Sequence, residues 1–327
     1  MPEMLEAFST RRLILAALAL AGCAGSRPLM AVRAPVVDLR AQPGTTARAE
    51  AHDSLEETQL LYGERVRQVK VKDGWAQVEA VEQPEFTHHK KWEGYPGWVP
   101  ASVLVPWQQL LSPNIVITEK WTSSWQDAYL LTASRWHLPL GTRLRATDIG
   151  GHLWRVELLD GTMVWLPRRS AQSLAELQAL PVQEKRQAIL RSAQLFLGDR
   201  YYWGGRSPQT TGLGDQVTGI DCSGLINLSY CAVGIEIPRD AHEQFLRARR
   251  ITVLEPADLV FLSEASNPQR IVHVMLYTGD GQLIEGPGTG LSVRRISVLK
   301  RLGKPVDQLQ SGAVVEDQTV FFGSYLP

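Results

Sequence analysis

The chain has 327 residues, about twice the length of an average domain, so it divides into two or three domains. Its 34 basic and 34 acidic residues cancel, which argues against nucleic acid as the main partner. A hydrophobic share of 44% with 21% charged residues is ordinary globular usage and excludes wholesale disorder.

Residues 1–22 read as a secretion signal. Arg11-Arg12 precede the apolar run from Leu13 to Leu20, and Ala21-Gly22-Cys23 follow. The run is about ten residues, where crossing a bilayer takes ~20, so a removable signal is expected rather than an anchor helix. The quartet Leu20-Ala21-Gly22-Cys23 resembles the bacterial lipoprotein signal. The resemblance implies lipidation at Cys23, a tether over residues 23–34 and a body held at a membrane of the cell envelope. An ordinary signal peptide with a chance cysteine is the alternative. Ala24 is not the acidic residue linked to inner-membrane retention, which leaves the outer membrane, facing the periplasm, open as the site of anchoring.

From 35 to 178 the pattern is short strands broken by turn residues, with no long helical period. Residues 35–108 hold Thr58 to Gly63, then Trp75-Ala76-Gln77-Val78, then Gly97-Trp98-Val99-Pro100. Residues 109–178 hold Leu138 to Gly141, then Trp154-Arg155-Val156, then Val164-Trp165-Leu166-Pro167. This repeated order resembles bacterial SH3-like domains, so two small SH3-like β-barrels are expected, with most of their tryptophans in the core.

From 179 to 327 the pattern changes. Apolar residues at helical spacing between Gln183 and Leu197, ending at Gly198, predict a helix. A second is predicted from Cys222 to about Val233, with Asp221 as its N-cap and Gly234 ending it. Strands follow at Leu259–Phe261, Ile271–Tyr277 and Gln282–Glu285, which makes this segment an α+β domain.

The chemistry concentrates in Asp221-Cys222-Ser223-Gly224. A cysteine in the first helical turn faces unpaired N–H groups and the positive end of the helix dipole, which favour a thiolate. The thiolate is the nucleophile and needs a base. His273 is the best-placed base, in an alternating strand where it shares a face with Ile271 and Met275. After the turn Thr278-Gly279-Asp280-Gly281, an odd loop would put Glu285 on the His273 face, where its carboxylate could orient the ring. Read singly, His273 could be a core histidine and Glu285 a solvated strand end. His242 is a rival base without an orienting partner, and His88-His89 read as solvated loop. Cys231 falls on the opposite face of the helix from Cys222, ~13 Å along the axis, so the two cannot pair and Cys231 reads as a small buried hydrophobe. No Cys/His spacing suggests zinc, and neither a metal nor a cofactor is expected.

Taken together, Tyr201-Tyr202-Trp203-Gly204-Gly205, Asp221-Cys222-Ser223-Gly224-Leu225, Ile237-Pro238-Arg239-Asp240 with Gln244, Pro256 to Phe261, and His273-Val274 with Gly279 resemble the NlpC family of papain-like cell-wall peptidases. The resemblance covers about 130 residues in family order. It implies Cys222 as nucleophile, His273 as base, Glu285 in a third polar position that is more often histidine, and Tyr201 as the tyrosine near the thiolate. The stretch Arg206 to Thr218 departs from the pattern and is expected to loop beside the cleft. Two SH3-like domains ahead of this domain are similar to one branch, the γ-D-glutamyl-diamino-acid endopeptidases. That similarity implies peptidoglycan stem peptides with a free N-terminal L-alanine as substrate. The implied binding residues are Asp240, Asp221, Ser223 and Trp203 in the catalytic domain, with Tyr95 and Glu57 from the first SH3-like domain. The diamino acid, diaminopimelate or lysine, is left open. Two other readings stand beside this one: a Cys–His amidase or acyl transferase on the same fold, and a non-catalytic cell-wall-binding lipoprotein.

Overall fold

The computed structural model describes residues 27–44, 53–109, 112–148, 150–210 and 218–327. The expected signal (1–22), Cys23, the start of the tether and the centre of the 206–218 stretch lie outside the described residues.

The first sheet comprises β1 (Leu29–Val32), β2 (Val36–Arg40), β3 (Glu56–Leu61), β4 (Arg65–Lys72), β5 (Trp75–Glu85), β6 (Glu93–Pro100) and β7 (Leu104–Pro106). The tether expected over 23–34 therefore gives way at Leu29, where β1 pairs with both β4 and β7 and satisfies its backbone inside the sheet. The second sheet comprises β8 (Ile115–Ile117), β9 (Trp121–Trp125), β10 (Ala133–Pro139), β11 (Arg143–Asp148), β12 (Leu153–Glu157), β13 (Met163–Pro167) and β14 (Ala171–Ser173).

The first sheet runs β3-β2-β6-β5-β4-β1-β7 and the second β10-β9-β13-β12-β11-β8-β14. Strand for strand, the second repeats the first. Neither sheet closes into the expected barrel: β3 and β7 end the first, β10 and β14 the second, with no ladder joining the ends among the described residues. The tryptophan expectation also changes. Trp154 is buried, its indole N–H donating to the carbonyl oxygens of Ala171 and Arg168 at 3.1 and 3.3 Å. Trp75, Trp98 and Trp165 are only half-buried, and Trp98 lies under the Lys70 ammonium.

The C-terminal domain opens with α1 (Leu174–Ala179) and α2 (Val182–Gln194), followed by α3 (Cys222–Cys231) and α4 (Ala241–Arg247). Its antiparallel sheet is built from β15 (Arg249–Arg250), β16 (Leu259–Glu264), β17 (Asn267–Gly279), β18 (Gln282–Glu285), β19 (Arg294–Ser297), β20 (Val314–Val315) and β21 (Gln318–Ser324), with α5 (Val298–Leu302) after β19. The strand order is β15-β21-β16-β17-β18-β19, and β20 pairs with β21.

Ile189 and Ala193 of α2, Leu225 and Leu228 of α3, Phe261 of β16 and Val274 and Leu276 of β17 form one buried cluster. Burying each large side chain contributes about 1.5–3 kcal/mol. Every residue of α3 is buried, so this helix runs through the domain interior rather than along its surface. Its polar side chains are paired there: Asn227 donates to the carbonyl of Ile237 at 2.9 Å and Ser229 to that of Leu225 at 2.7 Å. A helix fixed along its whole length fixes the position of its first residue, Cys222. No helix among the described residues is long and apolar enough to cross a membrane.

Candidate active site

Cys222 opens α3, and Asp221 caps the helix, its Oδ1 accepting the Gly224 N–H at 2.6 Å. The small residue in this motif has a packing cause. The Gly205 carbonyl accepts the Asp221 N–H at 3.1 Å, and a Cβ on Gly224 would stand 2.3 Å from that same oxygen. Gly224→Ala must therefore displace backbone. It is expected to cost about 1–3 kcal/mol and lower the melting temperature, which a thermal unfolding curve reads directly.

His273 and Glu285 meet because of one inserted residue. Asp280 and Gly281 both take positive φ, 50° and 65°, and form the two-residue turn of the hairpin. Gly279 pairs with Gln282, but Tyr277 pairs with Leu283 and Leu276 with Ile284, so Thr278 is bulged out. The bulge shifts the register by one and turns Glu285 onto the His273 face, one diagonal away. A second bulge, at Val272, separates Ile271 from that face. His273 pairs with Leu262 and Ser263 with Ile271, so Ile271 packs with Val274 and Leu276 instead of beside His273 and Met275.

His273 Nε2 lies 2.9 Å from Glu285 Oε2, which leaves Nδ1 to meet the Cys222 thiol, the ring's other hydrogen-bond partner. Burial alone would favour the neutral ring. The hydrogen bonds and charges of Cys222 and Glu285 outweigh it and push the imidazolium up to about 9. Glu285 is 0% exposed. Burial alone would raise its carboxyl, but His273, Arg294 and Arg301 hold it down to about 2. Tyr201 is buried, and both burial and the neighbouring Cys222 and Asp221 keep its phenol protonated, a donor beside Cys222. His242, the rival base, spends its Nδ1 accepting the Ile271 N–H at 3.3 Å. Cys231 is a free, buried thiol directed at the Gly141 carbonyl, 3.7 Å away.

Two expected cleft-wall residues face inward. Asp221 Oδ2 accepts from Arg239 Nη2 at 2.7 Å, and Ser223 Oγ accepts from Arg239 Nη1 at 2.9 Å. The Arg239 guanidinium, wholly buried, also donates to Thr58 of β3 at 2.7 Å. Asp221 and Ser223 therefore hold the nucleophile's helix against the first sheet, a demand that ordering and desolvating a fully buried arginine imposes. Arg206, expected in a loop, is likewise buried and bonded to Asn227 and Glu64 at 2.6 and 2.7 Å.

Asp240 faces the other way. It occupies the N-cap position of α4 but makes no capping bond, and its side chain keeps 38% of its surface. Across the domain junction Tyr95 donates to Asp240 Oδ2 at 2.9 Å, with Glu57 Oε2 3.4 Å from the same phenol oxygen. His88, read from the sequence as solvated loop, packs edge-on against Tyr95 and sits 3.8 Å from Glu57. Its hydrogen bond to Glu85, and the charges of Glu85, Glu57 and Asp240, favour the imidazolium over the cost of burial. Trp203 is half exposed on the rim. Among the described residues one group has metal-ligand spacing, Glu85, His89 and Glu93, whose ligand atoms lie within 4.8 Å of one another. Lys91 already neutralises Glu93 at 2.8 Å and His88 contacts Glu85 at 3.0 Å.

A thiol at a helix N-terminus, an imidazolium held by a buried carboxylate and a protonated phenol define a cysteine peptidase. Residues 198–303 match the NlpC/P60 family, and this segment is an NlpC/P60 domain. The chain is 29% identical to the γ-D-glutamyl-L-lysine dipeptidyl-peptidase of Bacillus cereus over 250 residues, 73% of this chain and 70% of that protein. It is 26% identical to the Bacillus subtilis protein of the same name over 258 residues, 76% and 78% of the two chains. The crystal structure of an NlpC/P60 family protein from Bacillus cereus superposes with a TM-score of 0.71 at 23% identity, covering 91% of this chain and all of that one, a likeness of fold.

Proposed function

We propose that the chain hydrolyses the γ-D-glutamyl–diamino acid bond of peptidoglycan stem peptides whose N-terminal L-alanine amine is free, in wall turnover or recycling. The observation that carries this reading is the Asp240–Tyr95–Glu57 group, built from two domains across their junction. Two carboxylates and a phenol form an acceptor-rich nest suited to an ammonium group. Arg239 lies 3.6 Å from Asp240 and 2.7 Å from Asp221, the cap of the nucleophile's helix, and so links this group to the Cys222 end of α3. An amine bound there leaves the second residue's carbonyl for Cys222, as a dipeptidyl-peptidase requires, and both Bacillus relatives carry that name.

The reaction follows from the geometry. The Cys222 thiolate adds to the γ-carbonyl carbon, and its oxygen, now negative, is met by the Tyr201 phenol and the N–H groups opening α3. His273 then gives its proton to the leaving amine as the C–N bond breaks, leaving a thioester. Water, deprotonated by His273, adds to the thioester carbon, and the C–S bond breaks to release the acid and restore the thiolate beside the imidazolium. The first sheet, as an SH3-like domain, walls one end of the cleft in this reading, and lipid on Cys23 holds the enzyme at the envelope membrane.

Digestion of L-Ala-γ-D-Glu-diamino-acid peptides with products identified by mass spectrometry tests the proposal. Release of the L-Ala-D-Glu dipeptide is expected. Cleavage at any other bond, or transfer to an added amine instead of water, overturns it.

A further inference from the structure

The third position of the catalytic set is a carboxylate with no solvent contact. A buried carboxylate must be compensated, or it takes up a proton and ceases to orient the base. Here the compensation comes from two arginines that arrive on later elements. Arg294 stands directly opposite Glu285 in the β18–β19 ladder. Its Nε and Nη2 both donate to Oε1, at 3.0 and 2.7 Å, a fork that immobilises that oxygen. Arg301, on α5, donates from Nε to Oε2 at 3.1 Å. That same oxygen faces His273 Nε2.

We propose that Arg294 and Arg301 are positioning residues for the catalytic base, acting through Glu285: they keep its carboxylate ionised and turned so that Oε2 faces His273. The geometry divides the work. The Arg294 fork fixes Oε1 and so the rotation of the carboxyl plane, while Arg301 shares Oε2 with the base and sets its height along β18. The charged and titratable groups on Glu285 are His273 from β17, Arg294 from β19 and Arg301 from α5; those on His273 are Glu285 and Cys222 from α3. The two guanidinium groups also bring positive charge to a carboxylate that has no solvent contact of its own.

The test is a double-mutant cycle on the full chain, because a positioning role and a merely structural one separate only there. Arg294→Met is expected to lower kcat about ten- to hundredfold with KM little changed, the loss of a hydrogen-bonded charge acting through the base. The acid limb of its kcat profile should move to higher pH, since burial then raises the Glu285 carboxyl with less to oppose it. Arg294→Lys, which keeps the charge but not the fork, should recover part of the rate. In a Glu285→Gln background, Arg294→Met should have little further effect, because a neutral amide needs no compensation. Arg301→Met should follow the same pattern in both backgrounds. Arginine substitutions that cost as much in the Glu285→Gln background as in the wild type would overturn the proposal. An unchanged rate and pH profile in Arg294→Met and Arg301→Met would overturn it as well. The Arg294 side chain is 43% exposed, so its substitution is compatible with folding, which circular dichroism checks.

Discussion

Cys222→Ala and His273→Ala are each expected to lower kcat by on the order of 10⁴-fold or more, and the double substitution to be no worse than either alone. The reason for non-additivity is that the two act as one unit. Without the ring the nucleophile has no base, and without the thiol the ring has nothing to activate. The imidazolium, pushed up to about 9, sets the upper end of the working range. Below that pH His273 holds the proton that the leaving amine needs, and above it the proton is gone, so the wild-type rate should fall on an alkaline limb near pH 9. Cys231→Ala should leave the rate unchanged, because this thiol lies along α3 against the Gly141 carbonyl and faces neither base nor cleft. Iodoacetamide should accordingly inactivate the enzyme at Cys222 with Cys231 unmodified in the folded protein. Labelling of Cys231 with Cys222 intact would reverse the assignment of the nucleophile.

The parts of this site that the sequence makes legible are those governed by local rules. Asp221 before Cys222 is a helix cap at a readable spacing, and the turn at Gly279 to Gly281 announces a hairpin. The parts it hides depend on single inserted residues and on long-range contacts. Nothing in the string marks Thr278 as a bulge, yet without it Glu285 would point to the other face of β18. Nothing in the sequence singles out Arg294 or Arg301, since only the pairing of β18 with β19 carries Arg294 to a buried carboxylate. His88 has a local partner in Glu85, but its place beside Tyr95 and Glu57 gives no signal because those residues come from other strands. Asp221 and Ser223 are legible as residues near the nucleophile, but their direction is set by Arg239, whose burial depends on Thr58 in the first sheet. The duplication of the two N-terminal segments can be read from repeated Trp and Gly positions. Whether those strands close cannot, because closure is decided by pairing between the ends, β3 with β7 and β10 with β14.

The second large effect concerns the free amine. N-acetylation of L-Ala-γ-D-Glu-diamino-acid peptide is expected to lower kcat/KM about ten- to hundredfold, the loss of a hydrogen bond between charged groups, before any steric clash with the first sheet is counted. Asp240→Asn should bring the two substrates closer together by slowing the free-amine peptide alone. The pH dependence gives an independent reading of the same contact. Partial desolvation at the domain junction, with the charges of Glu243 and Asp221, raises the Asp240 carboxyl to about 6 against the pull of Arg239 and the Tyr95 hydrogen bond. As pH falls through that value the carboxyl takes a proton and loses its charge, so binding of the ammonium weakens. His88 acts in the same direction, since its imidazolium competes for Glu57 and Asp240 as the pH falls. A bound ammonium favours the ionised carboxylate, so the acid limb should appear in kcat/KM, which reports the free enzyme, and much less in kcat. The N-acetylated peptide should lack that limb, as should Asp240→Asn with either peptide, while His88→Gln should keep it for the free amine. Equal kcat/KM for the two peptides across the pH range would mean that the cleft is open at this end. The enzyme would then act on intact wall, where the alanine amine is already bound in an amide.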